Sequence, residues 1–528
     1  MSAPSQSMIW TRFQQELPQA LPDFLKARRW FGGKTRTIRS VEIADAIPIP
    51  QVSTAAALLV ARVNYAEGPG ETYTVPLLEE TASQASEPTN DHTRIRIRAD
   101  GAEHIFSDAL ASPAVLQTLF DAIREARHFQ GRAGELVGVP TRALEPLRIA
   151  AQGKLQPSLM KAEQSNTSAL YGRAFVLKLF RHLAVGISPD FEIGRFLSER
   201  AAFPNIPPMA GALEYRDGQG ELAAIALLQG FVANQGDAWE HTLKALSNYY
   251  DRVAAEGHAT AGASQSEPLD AQALLGNYAA EAAILGQRTA ELHAALASDP
   301  GDPDFAPEPF SAPHQREISD TMVSAVDETL GMLRKRAPDL PEHVQPVAGR
   351  VLAAEQTVKD RFRSLAARKL AGPRTRIHGD LHLGQVLFTG SDFVFIDFEG
   401  EPARTLAERR EKHSPLRDVA GMVRSFHYAA YAALFSRARG ADAKSGPLVA
   451  FASAWYRAAC GEYLRAYFAR VAGANFLPAD PGERDFLLNF WLLGKAIYEL
   501  KYELNHRLDW VAIPLEGIDM LVGRPAAS

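Results

Sequence analysis

Hydrophobic and polar positions divide this chain into a strand-rich first part and a helix-rich second part. Short apolar runs at residues 38–49, 55–63 and 71–78, and the alternating Arg94-Ile95-Arg96-Ile97-Arg98, predict strands of an antiparallel sheet. Residues 8–29 ahead of them read as a helix. It is stopped by an aromatic pair and two glycines in Arg28-Arg29-Trp30-Phe31-Gly32-Gly33-Lys34. Trp30 and Phe31 are expected to pack at the edge of this module. Residues 81–93 are polar and proline-containing and read as a loop, and 112–126 as a helix. The pattern then predicts a strand at 158–163, a turn at 164–167, a returning strand at 168–171 and a third strand at 175–180. Ser188 followed by Pro189 marks a helix start. A turn at 215–220 and an apolar strand at 223–228 follow.

Beyond residue 236 the period becomes helical, over 238–256, 270–297, 315–336, 346–371, 419–437 and 486–506. The small polar run 257–267 and the proline-rich 299–313 read as connections, and the charged run 408–412 as a solvated segment. Arg288 and His293, on the 270–297 run, are expected to have structural roles.

One stretch breaks the helical pattern. Val386-Leu387-Phe388, a turn at Thr389-Gly390-Ser391-Asp392, and Phe393-Val394-Phe395-Ile396 read as a hairpin. Three oxygen-bearing side chains flank it: Asp380 in the loop before it, Gln385 at its entry and Asp397 at its exit. Phosphoryl transfer needs such a set. One Asp accepts the proton of the attacking hydroxyl, and an amide and a second Asp hold the magnesium that bridges the phosphates.

Composition narrows the partners. The 528 residues suggest two or three domains, and 46% hydrophobic with 22% charged residues is ordinary for a globular protein. A formal net charge of −6 makes no case for nucleic acid or an anionic membrane. Cys460 is the only cysteine, which fits a reducing cytoplasm. The sequence has no signal-peptide pattern and no uncharged apolar run of bilayer length, so a cytoplasmic monomer or homodimer with no membrane partner is expected.

His378-Gly379-Asp380, Gln385 five residues on, and Ile396-Asp397-Phe398-Glu399 resemble the catalytic loop and metal motif of aminoglycoside-phosphotransferase-type kinases. Gln385 stands where those kinases have Asn, and Glu399 where protein kinases have Gly, which points to small-molecule kinases. The strands around 158–180 resemble a kinase nucleotide-binding lobe, without a Gly-x-Gly-x-x-Gly or Walker A motif. In that resemblance Ser165, Asn166, Thr167 and Ser168 cradle phosphates. Lys178 holds them and pairs with Glu192 on the next helix, and the backbone around Gln229 and Phe231 binds adenine. Asp418 would brace the catalytic-loop backbone.

Further stretches narrow the resemblance to the bacterial maltokinases: Trp30-Phe31-Gly32-Gly33-Lys34, Glu163 to Ser168, Asp397 to Pro402, Ser414 to Asp418, and the tail Tyr498 to Trp510, with Leu508 where that family often has Pro. The resemblance implies an α+β, bilobal protein-kinase-like fold with an N-terminal cap module and a mainly helical C-terminal lobe. Its domains would be 1–110 (cap), 111–235 (nucleotide-binding part of the N-lobe) and 236–528 (helical lobe with the hairpin and sugar site). It further implies ATP and Mg2+ as cofactors, maltose as acceptor, maltose 1-phosphate as product for α-glucan synthesis, and association with a trehalose synthase. Tyr498, Tyr502 and Asn505 form a helical stripe suited to a sugar, and His382, Glu399 and Arg404 join them as sugar-contact candidates. Glucosamine or another amino sugar is the alternative acceptor. An inactive nucleotide-binding partner of a trehalose-pathway enzyme is the alternative of another class.

Overall fold

The computed structural model describes residues 10, 13, 15–50, 54–81, 93–99, 101–153, 155–160, 165–255, 271–437 and 448–523. The expected loop at 257–267, most of that at 81–93, and positions 161–164 lie outside the described residues. The chain divides into two compact units, residues 1–232 with 404–408, and residues 233–403 with 409–528.

In the first unit β1 (Ile38–Pro48), β2 (Ala56–Tyr65), β3 (Glu71–Glu79), β4 (Ile95–Ala99) and β5 (Ala102–Asp108) form an antiparallel sheet in the order β1-β2-β3-β5-β4. Strand side chains alternate between faces. On β2, Ala57, Leu59 and Ala61 enter a core with the Leu17–Lys26 helix, Trp30 and Phe31. Ala56, Leu58 and Val60 enter a second core. Both faces of β2 are therefore buried, which is why its sequence reads as one apolar run.

The second core belongs equally to a seven-stranded sheet. Its strands are β6 (His128–Gln130), β7 (Gly134–Pro140), β8 (Pro157–Leu159), β9 (Asn166–Tyr171), β10 (Phe175–Phe180), β11 (Met209–Asp217) and β12 (Leu222–Gly230). The spatial order is β6-β7-β11-β12-β10-β9-β8. Backbone bonds join the two sheets: Thr74 N–H donates to the Arg181 carbonyl at 2.8 Å, and Leu183 N–H to that of Thr72 at 2.8 Å. Buried Asp45 accepts from the Tyr215 hydroxyl at 3.0 Å and from Arg132 N–H at 2.7 Å.

Several expectations shift here. Of the helix expected at 8–29 the described residues show Leu17–Lys26, and residues 27–35 are mostly turns. Asn166 and Thr167, expected in a turn, belong to β9, which pairs with β10 along its full length. β11 runs to Asp217, so the turn expected at 215–220 starts later.

The second unit is helical around the hairpin of Val386–Phe388 and Phe393–Phe395, in register Val386↔Phe395. Its helices include Ala238–Ala255, Tyr278–Leu296, Ala312–Arg336, Leu416–Arg437, Leu448–Arg470, Pro481–His506 and Ala512–Gly523. The run expected at 270–297 is split into Ala271–Leu275 and Tyr278–Leu296 at Gly276, whose φ is +59°. The run expected at 346–371 is Gln345–Ala353 followed by Glu355–Ala367. No helix among the described residues is long and apolar enough to cross a membrane.

Candidate functional site

The loop that carries Asp380 is held from behind. Asp418, in the first turn of the Leu416–Arg437 helix, accepts from His378 N–H at 2.7 Å and Gly379 N–H at 3.0 Å. His293 Nε2 lies 3.2 Å from the same carboxylate, and its Nδ1 is 2.9 Å from the Tyr467 hydroxyl. Burial alone would raise the Asp418 carboxyl, but His293 and the backbone donors hold it below the usual carboxylate range. The His378 ring spans loop and hairpin. Asp380 N–H donates to its Nδ1 at 3.4 Å, so the ring proton sits on Nε2 and is given to the Ile396 carbonyl at 2.9 Å. Gly379, at φ +87°, makes the turn that presents Asp380. On the helix behind, a side chain at Gly421 would come within 2.5 Å of the Leu381 carbonyl, so only glycine lets the loop sit this close. Arg288 clamps the hairpin turn through Asp392, at 2.8 and 2.9 Å.

At the open end of the hairpin, Ile396 N–H donates to the Gln385 carbonyl at 3.0 Å, which sets Gln385 across from the residue before Asp397. Asp397 has φ +68°, a left-handed conformation that is uncommon for a residue with a side chain. Its carboxylate comes within 4.8 Å of that of Glu399. Two hard oxygen donors at this spacing fit a magnesium ion.

Asp380 lines a cavity of about 630 Å³ in the second unit, within the range of small-molecule sites. Aromatic walls come from Trp239, Tyr428, Tyr498, Tyr502 and Trp510, and acidic ones from Asp237, Glu499 and Glu503. Lys495 Nζ donates to Asp380 Oδ1 at 3.0 Å and lies 3.8 Å from Glu401. Burial would raise the Asp380 carboxyl and lower the Lys495 ammonium. Their mutual attraction wins, so the acid sits below and the lysine above its ordinary value. His382 Nε2 is 3.9 Å from Asp380, and removal from water pushes its imidazole down. Buried Glu503 takes Arg507 at 3.0 and 2.8 Å, and burial pushes its carboxyl up. Arg424, itself buried, holds Glu499 at 2.8 and 2.6 Å.

Of the sugar-contact candidates, His382, Tyr498 and Tyr502 line this cavity, whereas Glu399 and Asn505 do not. Asn505 is exposed, and its amide donates to the Lys501 carbonyl of its own helix at 3.0 Å. Arg404 groups by its contacts with the first unit. Lys495, Glu499 and Glu503 are cavity residues that the sequence reading did not name.

In the first unit Lys178 pairs with Asp190 at 3.4 Å, a partner in the Pro189–Glu199 helix two residues before Glu192. Thr167 corrects the phosphate cradle. It is buried, and its hydroxyl accepts from Arg181 Nε at 2.8 Å, while Arg181 also binds Asp108 at 2.6 Å. The alternation of β9 turns Thr167 inward and leaves Asn166 and Ser168 half-buried on the opposite face, with Ser168 beside Lys178 in the register. Ser165 is exposed ahead of the strand. Gln229 pairs with Val176 at the end of β12. Phe231 N–H, expected at adenine, already donates to the Ala174 carbonyl at 2.8 Å, because the strand pairing continues one step past β12.

With this geometry in view, two families match the chain: the Maltokinase N-terminal cap domain over residues 24–111, and the Phosphotransferase enzyme family over 159–400. A glucosamine kinase of Streptacidiphilus jiangxiensis is 28% identical over 363 residues, which is 67% of this chain and 70% of that protein. One from Mycolicibacterium smegmatis is 29% identical over 282 residues, or 51% of this chain and 58% of that protein. A solved glucosamine kinase in complex with glucosamine, ADP and inorganic phosphate superposes with a TM-score of 0.63 at 20% identity, over 94% of this chain and 98% of that chain. That likeness establishes a kinase-like fold.

Proposed function

This chain belongs to the aminoglycoside-phosphotransferase superfamily and carries a maltokinase-type N-terminal cap, and from that premise we propose that it is an ATP-dependent sugar kinase that phosphorylates maltose to maltose 1-phosphate. One observation carries the reading: Asp380 stands in the wall of a cavity that also presents aromatic planes and carboxylates. A sugar offers apolar C–H faces to such planes and hydroxyls to such carboxylates. Asp380, kept ionised by its surroundings, takes the proton of the acceptor hydroxyl. Lys178, steadied by Asp190 and Glu192, neutralises phosphate charge, and Ser165, Asn166 and Ser168 face the phosphates. Gln385 and Asp397, with Glu399 alongside, would hold magnesium, which would supply positive charge to the nucleotide phosphates.

Glucosamine is the second reading. It draws on the names of the two relatives and on Asp237, Glu499 and Glu503, carboxylates that suit an ammonium group. A coupled ADP-release assay with maltose, glucosamine or water as acceptor, with and without magnesium, separates the two. Magnesium-dependent turnover on maltose alone is the expected result. Turnover on glucosamine alone would replace the acceptor and keep the chemistry. Failure with every acceptor would sink the kinase reading.

A further inference from the structure

The cavity holds a lysine that neither the catalytic-loop spacing nor the hairpin accounts for. Lys495 lies on the Pro481–His506 helix, one turn before Tyr498 and Glu499 and two turns before Tyr502 and Glu503. All five residues line the cavity, so a single helix face carries both the acceptor walls and a cation on Asp380. The Lys495 ammonium is held on several sides: Asp380 Oδ1 at 3.0 Å, Glu401 Oε1 at 3.8 Å, and the Tyr498 ring at 4.8 Å. Glu401 in turn is fixed by Arg417 at 3.1 Å. The charged and titratable groups facing Asp380 are therefore Lys495 and Tyr498 from the helix, His382 from its own loop and Glu401 from the segment after the hairpin.

We propose that Lys495 is a positioning residue for phosphoryl transfer, which aims the Asp380 carboxylate at the acceptor hydroxyl and balances the charge of the cavity before and after the proton moves. The inference rests on the kinase reading. In that reaction the acceptor O–H bond breaks and its proton passes to Asp380. The acceptor oxygen bonds to the γ-phosphorus, and the bond from that phosphorus to the bridging oxygen breaks, leaving its electron pair on ADP. Asp380 then loses its proton to solvent. When Asp380 becomes neutral, Lys495 still carries its positive charge beside the newly phosphorylated oxygen, so the cavity is never left with an uncompensated anion. Fixing Asp380 through a second element also sets its aim independently of the loop that carries it.

The test compares Lys495→Met and Lys495→Arg with wild type, measuring kcat, KM for magnesium-ATP, and the pH profile of kcat/KM. The Met variant is expected to lose about 100-fold in kcat, to keep its KM for ATP, and to move the acid limb of the profile to higher pH. The Arg variant is expected to return the limb to its wild-type position. A Met variant with wild-type kcat, or with an unmoved acid limb, overturns the proposal. If the Met variant does not fold, Lys495→Gln takes its place with the same expectations. If wild type turns over no acceptor, the kinase reading falls by itself. Carbon-13 NMR titration of aspartate-labelled protein, with Asp380 assigned from Asp380→Asn, separately tests whether Lys495 sets the charge of Asp380, on which the inference depends. A higher Asp380 midpoint in the Met variant supports it, and an unchanged midpoint refutes it.

Discussion

Two aspartates serve the same loop from opposite sides. Asp418 sits behind it, fully enclosed, and spends both oxygens on the backbone of His378 and Gly379. Asp380 sits in front of it, in a cavity wall, with Lys495 on one oxygen. Both carboxyls are held below the usual range, and for the same kind of reason: nearby positive charge and donors outweigh burial. The pKa direction therefore does not separate a structural acid from a reactive one. What separates them is what their oxygens face. Asp418 faces fixed backbone donors and a buried histidine, which need no exchange with solvent or substrate. Asp380 faces a space of about 630 Å³.

That contrast breaks first at Asp380. The Asp380→Asn change is expected to lower turnover by about 10²- to 10⁴-fold, the usual worth of a general base. Nucleotide affinity and thermal stability should stay near wild type; an Asn variant retaining substantial activity would remove Asp380 from the proposed role. Asp418→Ala should give the opposite profile, with a loss of roughly 3 kcal/mol of stability in chemical denaturation from stripping a buried acid from its partners, and with a smaller effect on turnover. The pH dependence follows from the sign of the shift. The Asp418 carboxyl is depressed in the folded state, so between its folded and unfolded values the unfolded chain binds more protons, and stability rises with pH. The contribution is complete above about pH 4, the unfolded value, and is lost as pH falls through the lower folded one. Asp418→Asn should flatten the acid side of the stability profile, and an unchanged acid side would show that Asp418 contributes nothing there.

The same contrast explains what the sequence made legible. The Phe175–Phe180 strand and the hairpin turn are visible because their patterns are local: an apolar run with one lysine, and a Gly-Ser-Asp turn between two strands. Asp380, Gln385 and Asp397 are visible by their spacing, and the bracing position of Asp418 follows from the kinase resemblance. β5 is not visible, because of its residues only Ile105 and Phe106 are buried, and its place depends on pairing with β3 and β4. The Leu448–Arg470 helix has small and aromatic residues on all sides, so no single stripe marks it. Lys495 could have been found. It is the only charge in Trp491-Leu492-Leu493-Gly494-Lys495-Ala496-Ile497, and a lysine in apolar surroundings needs a partner.

The smallest expected effects sharpen the comparison at the cavity's own helix. A stripe drawn through Tyr498, Tyr502 and Asn505 follows helical spacing, yet the cavity is met by Lys495, Tyr498, Glu499, Tyr502 and Glu503. At about 100° per residue, that set centres to one side of Asn505, whose amide is bound back to Lys501. Tyr498→Ala should therefore raise the acceptor KM about tenfold, the worth of roughly 1.4 kcal/mol of aromatic contact. Asn505→Ala should change it by less than about twofold, as for an exposed side chain with only local bonds. Steady-state kinetics over acceptor concentration for both variants decides the matter. Equal effects would mean that the acceptor lies along the stripe rather than in the cavity, and would move the acceptor site away from Lys495 and Glu499 towards the C-terminal end of the helix.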